Sequence, residues 1–230
     1  MNNSTMKNKI KRVFNQPYMV VVTIVIATLL SFSDRNYGYF YGIFVVFLIL
    51  WSDNYRWSDF GFGKRIQSKT IIMGFLLAIV QFIVIDVFTQ PFLEIYFGTI
   101  DLSSLDSIRG NFASYLITTL IVWVFAAFGE ELLFQGYYMK RFAELFGNTK
   151  LAWLSSALFI SIYFGVSHSY QGPAGIIAIT MSGLIHAVLF YFNRKNLAIL
   201  VFAHGFYDMI GLTLIYLNME HLLLDWWLSI

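Results

Sequence analysis

The sequence predicts an all-α membrane protein, a polytopic bundle of about seven transmembrane helices with an eighth as the alternative. Of the 230 residues, 58% are hydrophobic and 12% are charged, whereas soluble domains are about 45–50% apolar and about 25% charged. A core of this size cannot bury so much apolar surface, so lipid must cover the remainder. No repeat or low-complexity tract interrupts the chain, so residues 1–230 are predicted to form one membrane domain.

Seven apolar runs approach the length needed to cross roughly 30 Å of hydrocarbon. The first two are short, and turn residues separate each run from the next. The first run lacks a small-residue cleavage site, so it is predicted to be a retained anchor rather than a signal peptide. The runs are residues 18–32, 37–51, 71–88, 115–137, 151–164, 176–192 and 197–217.

The basic residues lie on alternate sides of these runs. If the N-terminus is cytoplasmic, only Arg35 and Arg109 among the 15 Lys and Arg fall outside the cell, as the positive-inside rule requires. The sequence therefore predicts a multi-pass protein of the cell membrane, with its N-terminus in the cytoplasm. Topology and anionic lipid account for the basic loops, so the bilayer and not nucleic acid is the expected partner.

Ionisable side chains inside the apolar runs mark the candidate site, because each costs at least a few kcal/mol in lipid. His204 and Asp208 are four residues apart and share a helix face. Glu130 and Glu131 are rotated by about 100° and are predicted to have different roles. If the two helices that meet near residues 147–148 are antiparallel, Glu130 lies within one helical turn of His168. Residue counts along the helices place His204 at the same depth in the bilayer.

Two further ionisable residues in the runs have less specific predictions. His186 falls at the depth of His204 and is predicted to be a core histidine at the edge of the pocket. Asp86 is predicted to be a structural partner or part of a cavity wall.

The available side chains favour hydrolysis by an activated water. Burial makes a carboxylate a stronger base, and a neighbouring imidazole can orient water, bind a metal or donate to a developing oxyanion. The chain has no cysteine, which excludes thiolate nucleophiles and cysteine-based zinc sites. No serine lies in a nucleophile elbow or a Ser-x-x-Lys setting. A glutamate-activated water attacking a carbonyl is the mechanism that remains.

Three short motifs, in order along the chain, resemble the signature of the CPBP family of intramembrane proteases (CAAX protease and bacteriocin-processing, also called Abi). The family pattern is Glu-Glu-x-x-x-Arg, then Phe-x-x-x-His, then His-x-x-x-Asn or similar. The resemblance covers residues 111–217, about half of the chain, which it identifies as a CPBP-like catalytic core. The matching residues are Glu130, Glu131 and Gln135, then Phe164 and His168, then His204 and Asp208.

The resemblance implies an intramembrane endopeptidase that cleaves a peptide or a membrane-associated protein segment. Glu130 would activate the water with help from His168, while His204 and Asp208 would stabilise the oxyanion. The resemblance leaves a metal-dependent mechanism open, with zinc on Glu130, His168 and His204, beside a mechanism without any cofactor. Small size and family habit suggest a bacterial origin, and the oligomeric state is not predicted.

Two residues depart from the family pattern. Gln135 stands where Arg is usual, so an ion pair with Glu131 would become a neutral hydrogen bond; for Glu131 this structural role and a catalytic one are equally supported. Asp208 stands where Asn is common, and an ionised Asp cannot donate to an oxyanion. These departures motivate an alternative, a non-catalytic family member that binds a peptide as an immunity or regulatory protein.

A second alternative is a proton-coupled transporter that uses Glu130, Glu131 and Asp86 as a relay. No inverted repeat or matching pair of broken helices supports it. For the protease, the sequence predicts a water-accessible cavity that opens toward the cytoplasm.

Overall fold

The computed structural model describes residues 3–229. The structure is 82% helical. Within residues 3–229 there is no strand, only an isolated bridge between Phe62 and Asn196. The predicted all-α class is therefore confirmed.

Nine helices and three short 3₁₀ turns form the described part of the chain. The 3₁₀ turns are Trp57–Phe60, Ser103–Ile108 and Ser169–Gln171. The helices are α1 (Asn3–Phe14), α2 (Met19–Ser31), α3 (Arg35–Ser52), α4 (Ser68–Phe97), α5 (Phe112–Leu145), α6 (Lys150–Ser167), α7 (Gly172–Phe192), α8 (Leu197–Tyr216) and α9 (Leu222–Ser229).

Five helices of the described chain, α4 to α8, are long and apolar enough to cross a membrane. Helices α1 and α2 meet at 86° and would add a sixth span if they count as one broken span. The predicted count of seven is therefore not confirmed. The first two predicted runs account for the difference: α2 has 13 residues, about 20 Å at the α-helical rise, and α3 begins with the polar pair Arg35-Asn36.

Large apolar side chains cover the outside of the bundle. Leu120 on α5 is 68% exposed and Leu151 at the start of α6 is 73% exposed. A soluble monomer rarely exposes apolar patches of this extent. Together with the five candidate spans, this surface identifies a multi-pass membrane protein.

Two of the spans contain π-helical stretches, in which hydrogen bonds run from i to i+5. Ile83–Thr89 of α4 contains Asp86, and Val122–Met139 of α5 contains Glu130 and Glu131. Such stretches are rare and often coincide with functional sites. Three carboxylates of the spans therefore lie on widened helix turns. The rotation of about 100° between neighbouring residues, assumed from the sequence for an α-helix, does not apply there.

Small residues let the site helices approach one another closely, as in many membrane bundles. Helix α4 packs along α8, where Gly74 lies against Phe202. Helix α8 meets α5 where Gly205 lies against the ring of Trp123. Helix α6 packs along α7 at Gly165. These contacts bring α4, α5, α7 and α8 around one central space.

The basic end of the bundle is closed by the segment 57–63 between α3 and α4, which we call the plug. Phe60 is 3% exposed, and its carbonyl oxygen lies against Gly136 of α5. Gly61 adopts a left-handed conformation, with φ of 96°, in close contact with Phe190 and Leu197. Only glycine adopts that φ readily while it also leaves room for these neighbours. The plug therefore packs tightly among α5, α7 and α8.

Candidate active site

Glu131 joins two histidines from different helices. Its Oε1 lies 2.6 Å from Nδ1 of His186 on α7 and 3.0 Å from Nδ1 of His204 on α8. The rings of the two histidines are 5.6 Å apart and nearly perpendicular. Glu131 and His186 are buried at 3% exposure each. One carboxylate oxygen therefore fixes the orientation of both imidazoles.

A polar chain continues behind His186 to α4. Oε1 of Gln81 lies 2.7 Å from Nε2 of His186, and Nε2 of Gln81 donates to Oγ of Ser182 at 2.6 Å. A neutral imidazole has one N–H, so with Glu131 as a carboxylate two arrangements satisfy these distances. Either His186 is an imidazolium that donates to both oxygens, or the Gln81 amide is rotated so that its NH₂ donates to His186. In both arrangements Gln81 holds the ring.

Glu130, His204 and Asp208 form the side of the cluster that faces a cavity. Because Nδ1 of His204 is engaged by Glu131, Nε2 is the nitrogen that faces the remaining acids. It lies 3.8 Å from Oε2 of Glu130 and 3.4 Å from Oδ2 of Asp208. Both carboxylates and His204 line the cavity. The two neighbouring glutamates thus differ in place, with Glu131 behind the histidines and Glu130 in front.

His168 follows the last residue of α6 and lines the same cavity as Glu130. Its Nδ1 lies 2.9 Å from the carbonyl oxygen of Phe164, where Nδ1–H donates, and its ring packs edge-on against that of Phe164 at 4.8 Å. Nε2 has no hydrogen-bond partner among the described residues. It is therefore the nitrogen that can act on a molecule in the cavity.

The cavity has a volume of about 370 Å³ and extends from Glu130 along α4, α7 and α8. Ligand pockets typically span about 300–1,000 Å³. The wall contains five carboxylates and no Lys or Arg of the described chain, and the carboxylate of Glu220 pairs with Arg109. The five are Asp86, Glu94, Glu130, Asp208 and Glu220.

The segment that builds this site matches a known family. Residues 112–210 match the family model described as type II CAAX prenyl endopeptidase Rce1-like. This segment is similar to the Rce1-like family. The match confirms the resemblance to the CPBP proteases that the three motifs indicated. No curated protein and no solved structure matches the chain.

The Rce1-like segment spans α5 to α7 and most of α8, so it contains every residue of the three motifs. It also contains His186 and Ser182, which complete the polar chain behind Glu131. Gln81 and the plug lie outside it, on the preceding part of the chain. The Rce1-like segment therefore holds the acids and histidines, while α4 supplies the last contact to His186.

Several expectations from the sequence can be compared with this geometry. His186 is a buried histidine with both nitrogens engaged, and it lies beside His204, as its depth suggested. Glu131 does not bond Gln135: Oε1 of Gln135 and Oε2 of Glu131 are buried without a partner among residues 3–229. Asp86 lines the cavity wall.

The cavity does not open at the end with the basic loops, where the sequence predicted its mouth. The sequence predicted an opening toward the cytoplasm, which is the end with the basic loops. The cavity instead reaches exposed residues at the other end, Ser104 and Tyr170, because the plug fills the space below Glu131. No residue of the basic segments 53–67, 140–150 or 193–196 lines it.

Sequence reasoning missed Gln81 and Ser182. Gln81 stands in an otherwise apolar run, so the criterion that marked Asp86 would also have marked it. Ser182 gave no comparable signal, because serine is common in membrane helices, where it bonds its own backbone. Its contact with Gln81 depends on how α4 packs against α7.

The ligand atoms of Glu131, His186 and His204 lie within 4.8 Å of one another, which suits a metal ion better than the set named from the sequence. Two imidazoles and a carboxylate are typical zinc ligands. Glu130 and His168 do not join this group within the described residues. Metal binding at the triad would require the protons between Glu131 and the histidines to leave.

Proposed function

We propose that this protein is an intramembrane endopeptidase that hydrolyses a peptide or a membrane-associated protein segment. The observation that carries the proposal is the layered cluster: Glu130 and His204 face a cavity, while Glu131 fixes His204 from behind. The Rce1-like segment supports the same reaction class, since the matching family is described as an endopeptidase. Bacterial origin and a cytoplasmic N-terminus belong to this proposal.

In the proposed mechanism, a water in the cavity lies between Glu130 and the carbonyl carbon of the scissile bond. Glu130 takes a proton from the water as its oxygen attacks the carbon. Nε2–H of His204 donates a hydrogen bond to the carbonyl oxygen and stabilises the negative charge that develops there. Glu130 then gives its proton to the departing amine as the C–N bond breaks. His168 orients the water through Nε2.

Asp208 has a different part in this mechanism from the Asn of the family pattern. As a carboxylate 3.4 Å from Nε2 of His204, it stabilises the imidazolium form, which is the form that donates to an oxyanion. In its protonated form it donates directly. Asp208 therefore acts beside His204 and not as its replacement.

A zinc ion held by Glu131, His186 and His204 is the metal-dependent form of the proposal. When bound, zinc would supply Lewis-acid polarisation of the carbonyl oxygen or a more acidic water. Glu130 keeps the role of base in this form too. Metal content of the purified protein, compared between wild type and His186→Gln, distinguishes the two forms.

The test is a substrate trap. Membranes containing Glu130→Gln are expected to accumulate an uncut peptide that co-purifies with the protein, whereas wild-type membranes yield the shortened product. General-base catalysis typically contributes 10²–10⁴-fold, so the rate of cleavage of the captured peptide should fall at least 100-fold. Glu144→Gln on the same helix, away from the cavity, is the matched control and should cleave at the wild-type rate.

The trap also tests the binding protein that is the alternative. A peptide captured equally by wild type and Glu130→Gln, and never shortened, would reject the protease and favour a non-catalytic binder. The transporter finds less support, because the cavity opens at one end only and a relay would need a second opening.

A further inference from the structure

We infer that the substrate reaches Glu130 from the non-cytoplasmic side of the membrane, through the mouth of the cavity at the end opposite the basic loops. This inference rests on the proposed function and names its substrate class. The substrate is a polypeptide segment presented at the outer face, such as an exported or membrane-anchored peptide, and not a cytoplasmic one.

Three loops at one end of the bundle form the mouth. The segment between α4 and α5 contributes Ser104 and Leu105, the turn between α6 and α7 contributes Tyr170 and Gln171, and the segment after α8 contributes Glu220. Ser104 and Tyr170 are exposed. A continuous lined path therefore joins Glu130 to the surface at this end.

The opposite end is sealed directly below the site. Leu132 and Met139 follow the two glutamates along α5, and Leu197 begins α8; all three are fully buried at 0% exposure. Phe60 of the plug packs among them at 3% exposure. The plug is held by backbone hydrogen bonds to residues 195–197, including Leu197 N–H to the Gly61 carbonyl at 2.9 Å. A substrate could not pass here without displacing this layer.

Charge assigns the two ends to the two sides of the membrane. The sealed end carries the basic loops, which the positive-inside rule places in the cytoplasm. At the mouth the cations are Arg35, which stacks over the ring of Tyr170, and Arg109, which pairs with Asp106 and Glu220. All other Lys and Arg of the sequence lie in segments toward the sealed end, so the mouth belongs to the outer face.

The volume of the cavity limits what can enter. At about 370 Å³ it lies at the small end of ligand pockets, so an extended segment fits and a folded domain does not. The carboxylates of its wall also favour a cationic probe over an anionic one. These two properties determine the reagent that tests the inference.

The test uses the absence of native cysteine, which allows single-cysteine variants of the full chain. Ala126→Cys places a thiol in the cavity one turn before Glu130, Ser104→Cys places one at the mouth, and Ser68→Cys places one at the basic end. Leu120→Cys on the lipid-facing surface of α5 is the control for unreactive thiols. The probe is a small, membrane-impermeant, trimethylammonium methanethiosulfonate, applied to right-side-out and inside-out vesicles.

We expect Ser104→Cys and Ala126→Cys to react in right-side-out vesicles at least ten times faster than in inside-out vesicles. Ser68→Cys should show the opposite ratio, and Leu120→Cys should react in neither. Reaction of Ala126→Cys from the side that labels Ser68→Cys, or from neither side, would overturn the inference. So would reaction of Ser104→Cys from the inner face.

A second measurement separates this inference from the proposed function. A bulky impermeant maleimide on Ser104→Cys, added from outside, should slow cleavage of the trapped peptide at least tenfold, whereas the same label on Ser68→Cys should not. If Ser104→Cys and Ala126→Cys are labelled from the inner face while cleavage still depends on Glu130, only the outer route is rejected. Labelling from outside, with equal cleavage by wild type and Glu130→Gln, would reject only the protease.

Discussion

Glu131 and His186 form a hydrogen-bonded pair between α5 and α7, with 2.6 Å between Oε1 and Nδ1 and both side chains 4% exposed. His204 shares the same oxygen from α8. Three helices are thus joined at one buried carboxylate. In a membrane bundle, where burial of apolar side chains distinguishes poorly between protein and lipid, such a polar junction fixes which helix faces meet.

Removal of this carboxylate should destabilise the bundle. Glu131→Ala leaves two buried imidazoles without their acceptor, and loss of one partner of a buried pair typically costs about 3–5 kcal/mol. We expect a fall of about 3 kcal/mol in the free energy of unfolding in detergent. Glu144→Ala, on the same helix with a side chain 26% exposed, should cost less than about 1 kcal/mol. Equal costs for both variants would refute the role assigned to Glu131.

Gln81 should affect catalysis without touching the substrate. Gln81→Leu removes the contact to Nε2 of His186, and loss of a partner that orients a site histidine typically costs about 10–100-fold in activity. We expect kcat for peptide cleavage to fall by about 10-fold or more with little change in KM, because Gln81 orients His186 and does not line the cavity. Ser182→Ala, which removes only the next contact in the chain, should have a smaller effect. A rise in KM with kcat unchanged in Gln81→Leu would reject this positioning role.

Two glycines of α8 should respond in opposite directions to the same substitution. A Cβ on Gly205 would overlap the ring of Trp123, whereas one on Gly211 would meet nothing within 4 Å. Gly205→Ala should therefore destabilise by about 1–3 kcal/mol through overpacking. Gly211→Ala should be neutral or stabilise by up to about 1 kcal/mol, because alanine favours the helix. Thermal unfolding of both variants checks the pair, and a loss of stability in Gly211→Ala would argue against the packing described here.

Asp208 offers a direct test of oxyanion stabilisation. Asp208→Asn supplies an amide donor at the same position, so cleavage should remain within about 10-fold of wild type. Asp208→Leu has similar size and no polar group, and loss of an oxyanion donor typically costs about 10²–10³ in kcat. Cleavage rates of the trapped peptide measure both variants. If Leu were tolerated as well as Asn, Asp208 would have no part in the chemistry.

The contact between helix α1 and the residues after α3 should loosen at low pH. Burial alone would raise the pKa of Asp53, but hydrogen bonds from Lys11 and Arg56 and their charges outweigh it and hold the pKa below the ordinary value of 3.8. This contribution to stability is fully present above 3.8 and is lost as the pH falls through the lowered pKa. It amounts to less than about 1 kcal/mol, because Lys11 is largely exposed.

Spin labels on Asn8→Cys and Ser68→Cys can report the position of α1. We expect one distance at pH 7 and a longer, broader distribution well below pH 3.8. In Asp53→Asn the broad distribution should already appear at pH 7 and should not change with pH. A distance that shifts with pH equally in both proteins would assign the transition to another group.

The sequence predicted the helical class and five of the spans because their hydropathy is strong and uniform. The two further predicted spans, at α2 and α3, are not confirmed, because these helices are short or begin with polar residues. The motif residues could be identified because an ionisable side chain inside a membrane span is energetically costly and therefore marks a candidate site. Their roles in the cluster were harder to predict, because the pairing of Glu131 with His186 depends on the π-helical turns of α5.

The direction of the cavity could not be predicted for a different reason. Depth along each helix follows from residue counts, and Glu130 and His204 do fall at a common level. The side on which water enters depends on what fills the space above and below that level. Phe60 lies in a loop between spans, where neither hydropathy nor motif indicates that it packs beneath the site.

The plug also determines where the membrane potential falls. Water that fills the cavity from the mouth carries the outer potential inward to Glu130, so most of the voltage drops across the thin apolar layer formed by Phe60, Leu132 and Leu197. A full 100 mV is worth about 2.3 kcal/mol per charge, but a charged side chain that moves from the outer solution to Glu130 crosses only a small part of it. Cleavage should therefore proceed at nearly the same rate in energised and de-energised membranes.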